Sequence, residues 1–135
     1  MDTQTRSENE LAPLGNRELS IMNVIWDLGE ATVHDVLERL PDDLAYTTVL
    51  TMMRHLESKG YLRHRTSGRQ YVYYPLVDRK QVQRRTVLDV LTRLFGGASN
   101  ELISTVLEST ELSREDIDEL RKMLAQLEKH EGQDR

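Results

Sequence analysis

The chain has no cysteine, which removes disulfide frameworks, thiolate nucleophiles and thiolate metal sites at once. It also has no apolar run near the ~20 residues that a membrane-spanning helix needs. Its amino terminus is polar rather than basic and then apolar, the order of a secretory signal. A cytoplasmic protein without membrane insertion is therefore the expectation. The four histidines, His34, His55, His64 and His130, include no pair at ligand spacing, so neither a metal nor a cofactor is expected. A glycine-rich phosphate loop after a strand is missing, as is a nucleophile with a base and an orienting partner, so an enzyme is not expected. Carboxylates such as Glu115, Asp116, Asp118 and Glu119 form a run that the helix dipole favours at a helix start.

Acidic residues are scarce in one place. Between Leu44 and Arg85 only Glu57 and Asp78 are acidic, against nine bases: Arg54, Lys59, Arg63, Arg65, Arg69, Arg79, Lys80, Arg84 and Arg85, a local formal charge of +7. Residues 1–43 carry three bases against ten acids (−7), and residues 86–135 carry six against eleven (−5), so the chain as a whole stands at −5. It is the field over a local surface, not the total, that neutralises phosphates. At 135 residues, 38% hydrophobic and 30% charged, the chain suits one small globular domain with an appendage.

Residues 1–14 are polar and without periodicity, and read as a flexible arm. The first helix is expected to open after a capping Asn16 and to close at Gly29, with Leu19, Met22, Ile25 and Trp26 on one stripe and Ile21 and Leu28 at its border. Thr32 with Asp35 resembles a capping box that starts a second helix through Val33, Val36, Leu37 and Leu40, stopped by Pro41. The third helix runs from about Tyr46 to Lys59. Steps of 100° place Val49, Met52, Met53 and Leu56 on one face and Thr47, Thr51, Arg54 and Ser58 opposite, with Thr48 and His55 on the flank. Short hydroxylated side chains beside an arginine can approach base edges closely and touch thymine methyls.

Tyr61 to Arg65 and Gln70 to Tyr74 are β-prone runs joined by Thr66-Ser67-Gly68-Arg69, which predicts a hairpin with at least one tyrosine pair in the core. Three helices and a basic hairpin, over residues 15–77, are the order of a winged helix-turn-helix. In such a module the third helix enters the major groove and the hairpin lies on the phosphate backbone.

Residues 78–130 read as helices only, from about Asp78 to Phe95, Asn100 to Glu108 and Ser113 to His130, with 131–135 as a flexible tail. Ser113 and Asp116 make another box-like start. Val87, Leu88, Leu91, Leu94 and Phe95, Leu102 and Val106, and the seam Ile117, Leu120, Leu124 and Leu127 offer more apolar surface than three thin helices can cover. The expectation is a homodimer that spaces two third helices ~34 Å apart on a palindromic operator. The fold class is thus mainly α with a small β-hairpin wing, an N-terminal winged helix-turn-helix followed by a C-terminal three-helix dimerisation domain.

Glu18-Leu19 through Val24-Ile25-Trp26, Ala45-Tyr46-Thr47-Thr48-Val49, Arg54-His55-Leu56, Lys59-Gly60-Tyr61-Leu62, Tyr73-Tyr74-Pro75, Gly96-Gly97, Leu112-Ser113 and Ile117-Asp118-Glu119-Leu120 follow one another in an order and spacing that resembles the penicillinase-repressor family, of BlaI/MecI type and including copper-responsive repressors. The resemblance covers about Arg17 to Lys129. It implies a dimeric transcriptional repressor, nucleoid-associated when bound, with Thr47, Thr48, Thr51, Arg54 and His55 reading bases, Tyr46 near the backbone and Arg63, Arg65 and Arg69 on the wing. The penicillinase-type branch implies a membrane metalloprotease sensor that cleaves an Asn-Phe bond. The matching place here is Thr105-Val106, which lacks both residues, and the cysteine-rich metal-binding tail of the copper-responsive branch is also missing. The inducing signal stays open between a protease of other preference, a direct ligand and another route. The alternative reading keeps the fold as a protein-interaction adaptor, its cationic segment meeting an acidic partner.

Overall fold

The computed structural model describes residues 11–133. Glycine, not asparagine, stands at the head of α1 (Asn16–Leu28): Gly15 is extended there, and the Glu18 carboxylate reaches back to accept from its N–H at 2.9 Å. Asn16 is already helical, because Glu18 supplies the acceptor that the asparagine side chain was expected to give. At the far end Gly29, at φ +86°, donates to the Ile25 carbonyl. Ile21, Met22 and Ile25 are fully buried, whereas Leu19 and Leu28 are exposed. The buried stripe is thus turned toward Ile21 from its expected centre, since α1 packs against α2, α3 and the hairpin together.

Helix α2 (Val33–Arg39) has the reciprocal cap: Asp35 N–H donates to the Thr32 hydroxyl at 3.1 Å and Thr32 N–H to the Asp35 carboxylate at 2.9 Å. These bonds favour the ionised acid and, against a smaller effect of burial, hold Asp35 below its ordinary carboxyl range. Leu40 turns extended before Pro41 and ends the helix.

Helix α3 (Tyr46–Ser58) buries Val49, Met53 and Leu56. The chain leaves it through Gly60 at φ +92°, where an added Cβ would also come within 3.1 Å of Leu11. Strands β1 (Leu62–Ser67) and β2 (Gln70–Pro75) pair antiparallel, Leu62 with Pro75, His64 with Tyr73 and Ser67 with Gln70. Thr66 and Ser67 are therefore paired, and the expected four-residue connection shrinks to Gly68-Arg69, with Gly68 at φ +63°. Ala31 exchanges two backbone bonds with Tyr73, 2.9 and 2.8 Å, and so adds an isolated bridge to the hairpin. Tyr73 is buried while Tyr71 is 46% exposed, so that face sends only one of its two tyrosines into the core, where Tyr61 is also buried.

Leu11 is 5% exposed within this core; the Tyr61 hydroxyl donates to the Ala12 carbonyl and Lys59 Nζ to the Pro13 carbonyl. Of the arm expected at 1–14, residues 11–14 are thus docked by a buried leucine and two long-range bonds, and residues 1–10 lie outside the described ones. Helix α4 (Arg79–Arg93) begins on the same unit: Trp26 donates to the Val77 carbonyl at 2.9 Å, Val82 packs against the core, and Arg85 donates to the Leu11 carbonyl.

One compact unit extends through Leu88, and a second begins at Asp89. The second holds the end of α4, α5 (Ser99–Ser109) and α6 (Arg114–Gln133). Ser113 and Asp116 exchange backbone-to-side-chain bonds at 3.2 and 3.0 Å at the start of α6. Helix α6 continues through residues 131–133 of the expected tail, and 134–135 lie outside the described residues. No described residue from 89 onward is buried. The architecture is mainly helical with one hairpin, a winged helix-turn-helix followed by helices. Among the described residues no helix is long and apolar enough to cross a membrane.

Candidate nucleic-acid interface

The core of the winged unit fixes which side of α3 is free. With Val49, Met53 and Leu56 buried, Thr47, Thr48, Thr51, Arg54, His55 and Ser58 are all exposed. The Thr51 hydroxyl donates to the Thr47 carbonyl at 2.8 Å. Its lone pairs and methyl group are what remain for an outside partner, a combination suited to an amino donor or a thymine methyl. Tyr46, at the first turn, is exposed and lies 4.9 Å from the His34 ring.

Strand register sorts the hairpin into two faces. Leu62, His64, Thr66, Tyr71, Tyr73 and Pro75 share the side that carries the buried residues, and Arg63, Arg65, Tyr74 and Val72 the other. Arg63 and Arg65 therefore stand together, and Arg69 is exposed at the turn. The base of the wing is clamped to α3. His64 Nδ1 meets Glu57 Oε1 at 2.6 Å, with Tyr71 4.4 Å and Tyr73 5.4 Å from the imidazole ring. Burial pushes the Tyr73 phenol above its ordinary range, the Glu57 carboxylate adds to this, and the Arg54 guanidinium partly offsets it.

The +7 segment is not all available. Lys59 pairs with Glu18 at 2.8 Å, Arg65 with Glu30 at 3.0 Å, and Arg79 with Asp27 at 2.7 Å while lying 5.4 Å from the Trp26 ring centre. Arg85 is spent on the Leu11 carbonyl. Among the described residues no carboxylate lies within 4.0 Å of Arg54, Arg63 or Arg69, which leaves these three guanidiniums beside the threonine face without an acidic partner, although Arg54 also hydrogen-bonds the Tyr73 phenol. His55 is less free than its position suggests: its Nε2 is 3.9 Å from Glu18 Oε2, a buried atom without a hydrogen-bond partner. Burial would raise the Glu18 carboxyl, but Lys59, the Gly15 N–H and His55 together hold it below its ordinary value.

The wing clamp of Glu57, His64 and Tyr71 did not emerge from sequence reasoning. The signal was there, since strand alternation puts His64 on the face of Tyr73, but the pairing register that joins them is not local. Among the described residues no cluster of His, Cys, Asp or Glu could hold a metal. In the second unit Leu94, Val106, Leu124 and Leu127 are exposed, Leu91, Phe95, Leu102, Ile117 and Leu120 are half-buried, and Thr105-Val106 lies inside α5. Val87 and Leu88, at the end of the first unit, are exposed.

Residues 14–126 match the family model described as penicillinase repressor. The penicillinase repressor of Bacillus licheniformis is 30% identical over 117 residues, covering 85% of this chain and 91% of the relative. The methicillin resistance regulatory protein MecI of Staphylococcus aureus (strain N315) is 25% identical over 119 residues, covering 87% of this chain and 97% of the relative. The solution structure of Bacillus licheniformis BlaI in its monomeric form, in complex with the blaP half-operator, is 30% identical over 53% of this chain and 89% of that one, with a TM-score of 0.46.

Proposed function

The chain belongs to the penicillinase repressor family, and from that membership we infer that it is a DNA-binding transcriptional repressor, with α3 in the major groove and the wing on the phosphate backbone. The observation that carries the placement is the exposed Thr47, Thr48 and Thr51 face flanked by Arg54, Arg63 and Arg69, free of carboxylate partners. A hydroxyl and methyl surface is short enough for backbone approach to base edges, and guanidiniums on the wing supply the sequence-independent attraction. Tyr46 at the start of α3 then lies beside the backbone. His55, held near Glu18, contributes to base reading only when it swings away from that carboxylate.

The second unit supports a homodimer. With no described residue buried from 89 onward, and with Leu94, Val106, Leu124 and Leu127 open, its helices gain their burial from a second copy. A twofold pair presents two α3 helices to half-sites about one helical turn apart, which requires a palindromic operator. The Thr105-Val106 bond sits in helical backbone, so a protease, if one is the inducer, must first open α5 locally.

An electrophoretic shift with DNA from upstream of the chain's own gene, challenged by about a hundredfold excess of random duplex, tests the reading. A complex that survives the challenge is expected. Competition by random DNA as effective as by the upstream fragment would overturn it, and capture of an acidic protein with no DNA complex would favour the adaptor role.

A further inference from the structure

A cleft of about 340 Å³ lies between the starts of α2 and α3 and the tip of the wing, lined by His34, Tyr46, Arg54, Arg69 and Tyr71 among others, with the half-buried Leu50 as an apolar wall. No carboxylate lines it. Two guanidiniums from separate elements therefore converge on a concave surface without a compensating charge, which focuses a positive field there. An inorganic anion would answer the charge and leave the tyrosine faces and Leu50 uncovered. A planar apolar body answers those as well, because aromatic walls favour a second ring at stacking or tilted distance. The volume is at the small end of the ~300–1,000 Å³ of ligand pockets, enough for a compact ring system.

We propose that this cleft is a binding site for a small aromatic carboxylate, its carboxylate held by Arg54 and Arg69 and its ring against Tyr46, Tyr71 and Leu50. Because both arginines belong to the proposed DNA surface, an occupied cleft and a bound operator exclude each other, which makes the ligand an effector that releases DNA. The release, though not the site, rests on the repressor reading above.

The test uses the full chain and three probes at constant ionic strength: benzoate, acetate and inorganic phosphate, followed by two-dimensional amide NMR. Saturable benzoate binding is expected, about tenfold or more tighter than acetate, the return for burying one phenyl ring. The shifts should centre on Arg54, Arg69 and Tyr71. Arg69→Gln, at an exposed turn where folding is not at stake, should weaken benzoate by about tenfold. Benzoate should also raise the concentration of chain needed to shift the upstream DNA. Absence of saturable benzoate binding, or phosphate and acetate binding as tightly as benzoate, would sink the site, the latter outcome marking a clamp for backbone phosphates. Benzoate and DNA bound at once would sink the exclusion. Benzoate binding by a chain that ignores DNA would keep the site and remove the repressor reading, whereas specific DNA binding by a chain that shows no saturable benzoate binding would do the reverse.

Discussion

Leu124→Ala should dissociate the proposed dimer without unfolding α6. Leu124 is 60% exposed in one copy. Full burial of a leucine stabilises by ~1.5–3 kcal/mol, so the open fraction leaves about 1–2 kcal/mol to be gained against a partner. Twofold symmetry counts the residue in both copies, giving about 2–4 kcal/mol, or a roughly 30- to 700-fold rise in the dimer Kd. Alanine is the best helix former, so α6 should keep its helicity by circular dichroism. Sedimentation equilibrium over a dilution series reads the constant directly. Lys122→Ala is the control, because Lys122 lies about 200° around the helix from Leu124, with its side chain 75% exposed and near Glu119. A Leu124→Ala chain with an unchanged dimer constant, or one matched by Lys122→Ala, would refute the assignment of the α6 seam to the interface.

Arg54→Ala should weaken operator binding by about 1–3 kcal/mol if its guanidinium makes a bidentate base contact, and random duplex by less; equal losses in a filter-binding comparison would remove it from base reading. Arg69→Ala should weaken both classes of DNA and lower the slope of log K against log salt by about one; an unchanged slope would take it off the backbone. Glu18 is held below its ordinary carboxyl value, so its stabilisation is present above pH 4.5 and is lost as pH falls through the lower folded value. Urea unfolding at a series of pH values should therefore show a shallower acid decline for Glu18→Gln, and parallel declines would refute the linkage. Trp26→Phe leaves the Val77 carbonyl without its donor and should destabilise by ~1–3 kcal/mol in chemical denaturation; an unaltered midpoint would show that water replaces the indole at no cost.

What was legible in the chain was local. Thr32 with Asp35 and Ser113 with Asp116 sit three residues apart, and each pair makes both of its bonds. Alternation around Gly68 located the hairpin, and 100° steps separated Val49, Met53 and Leu56 from the threonine face. Less legible were features fixed by neighbours distant in sequence. Ile21 turned inward because α1 meets three elements at once, and Leu11 docked although a single leucine in a polar stretch carries no period. Formal charge marked the cationic segment but could not tell Arg69 from Lys59 or Arg79, whose partners Glu18 and Asp27 lie in the first helix. For the candidate interface, the groups on α3 could be read from the helix itself. The wing clamp and the cleft depend on pairing between α2, α3 and the hairpin, which spacing along the chain does not encode.

The docking of Leu11 gives the peptide ahead of the first helix a say in how long the protein survives. An aminopeptidase that clips past this leucine would leave every helix intact and open a hole beside Gly60 and Tyr61. Truncating a buried leucine to alanine costs about 2–5 kcal/mol, a large share of the ~5–15 kcal/mol that holds an ordinary domain together. The trimmed protein would unfold more often and meet degrading proteases sooner, so its cellular lifetime would depend on processing of a segment outside the proposed DNA surface.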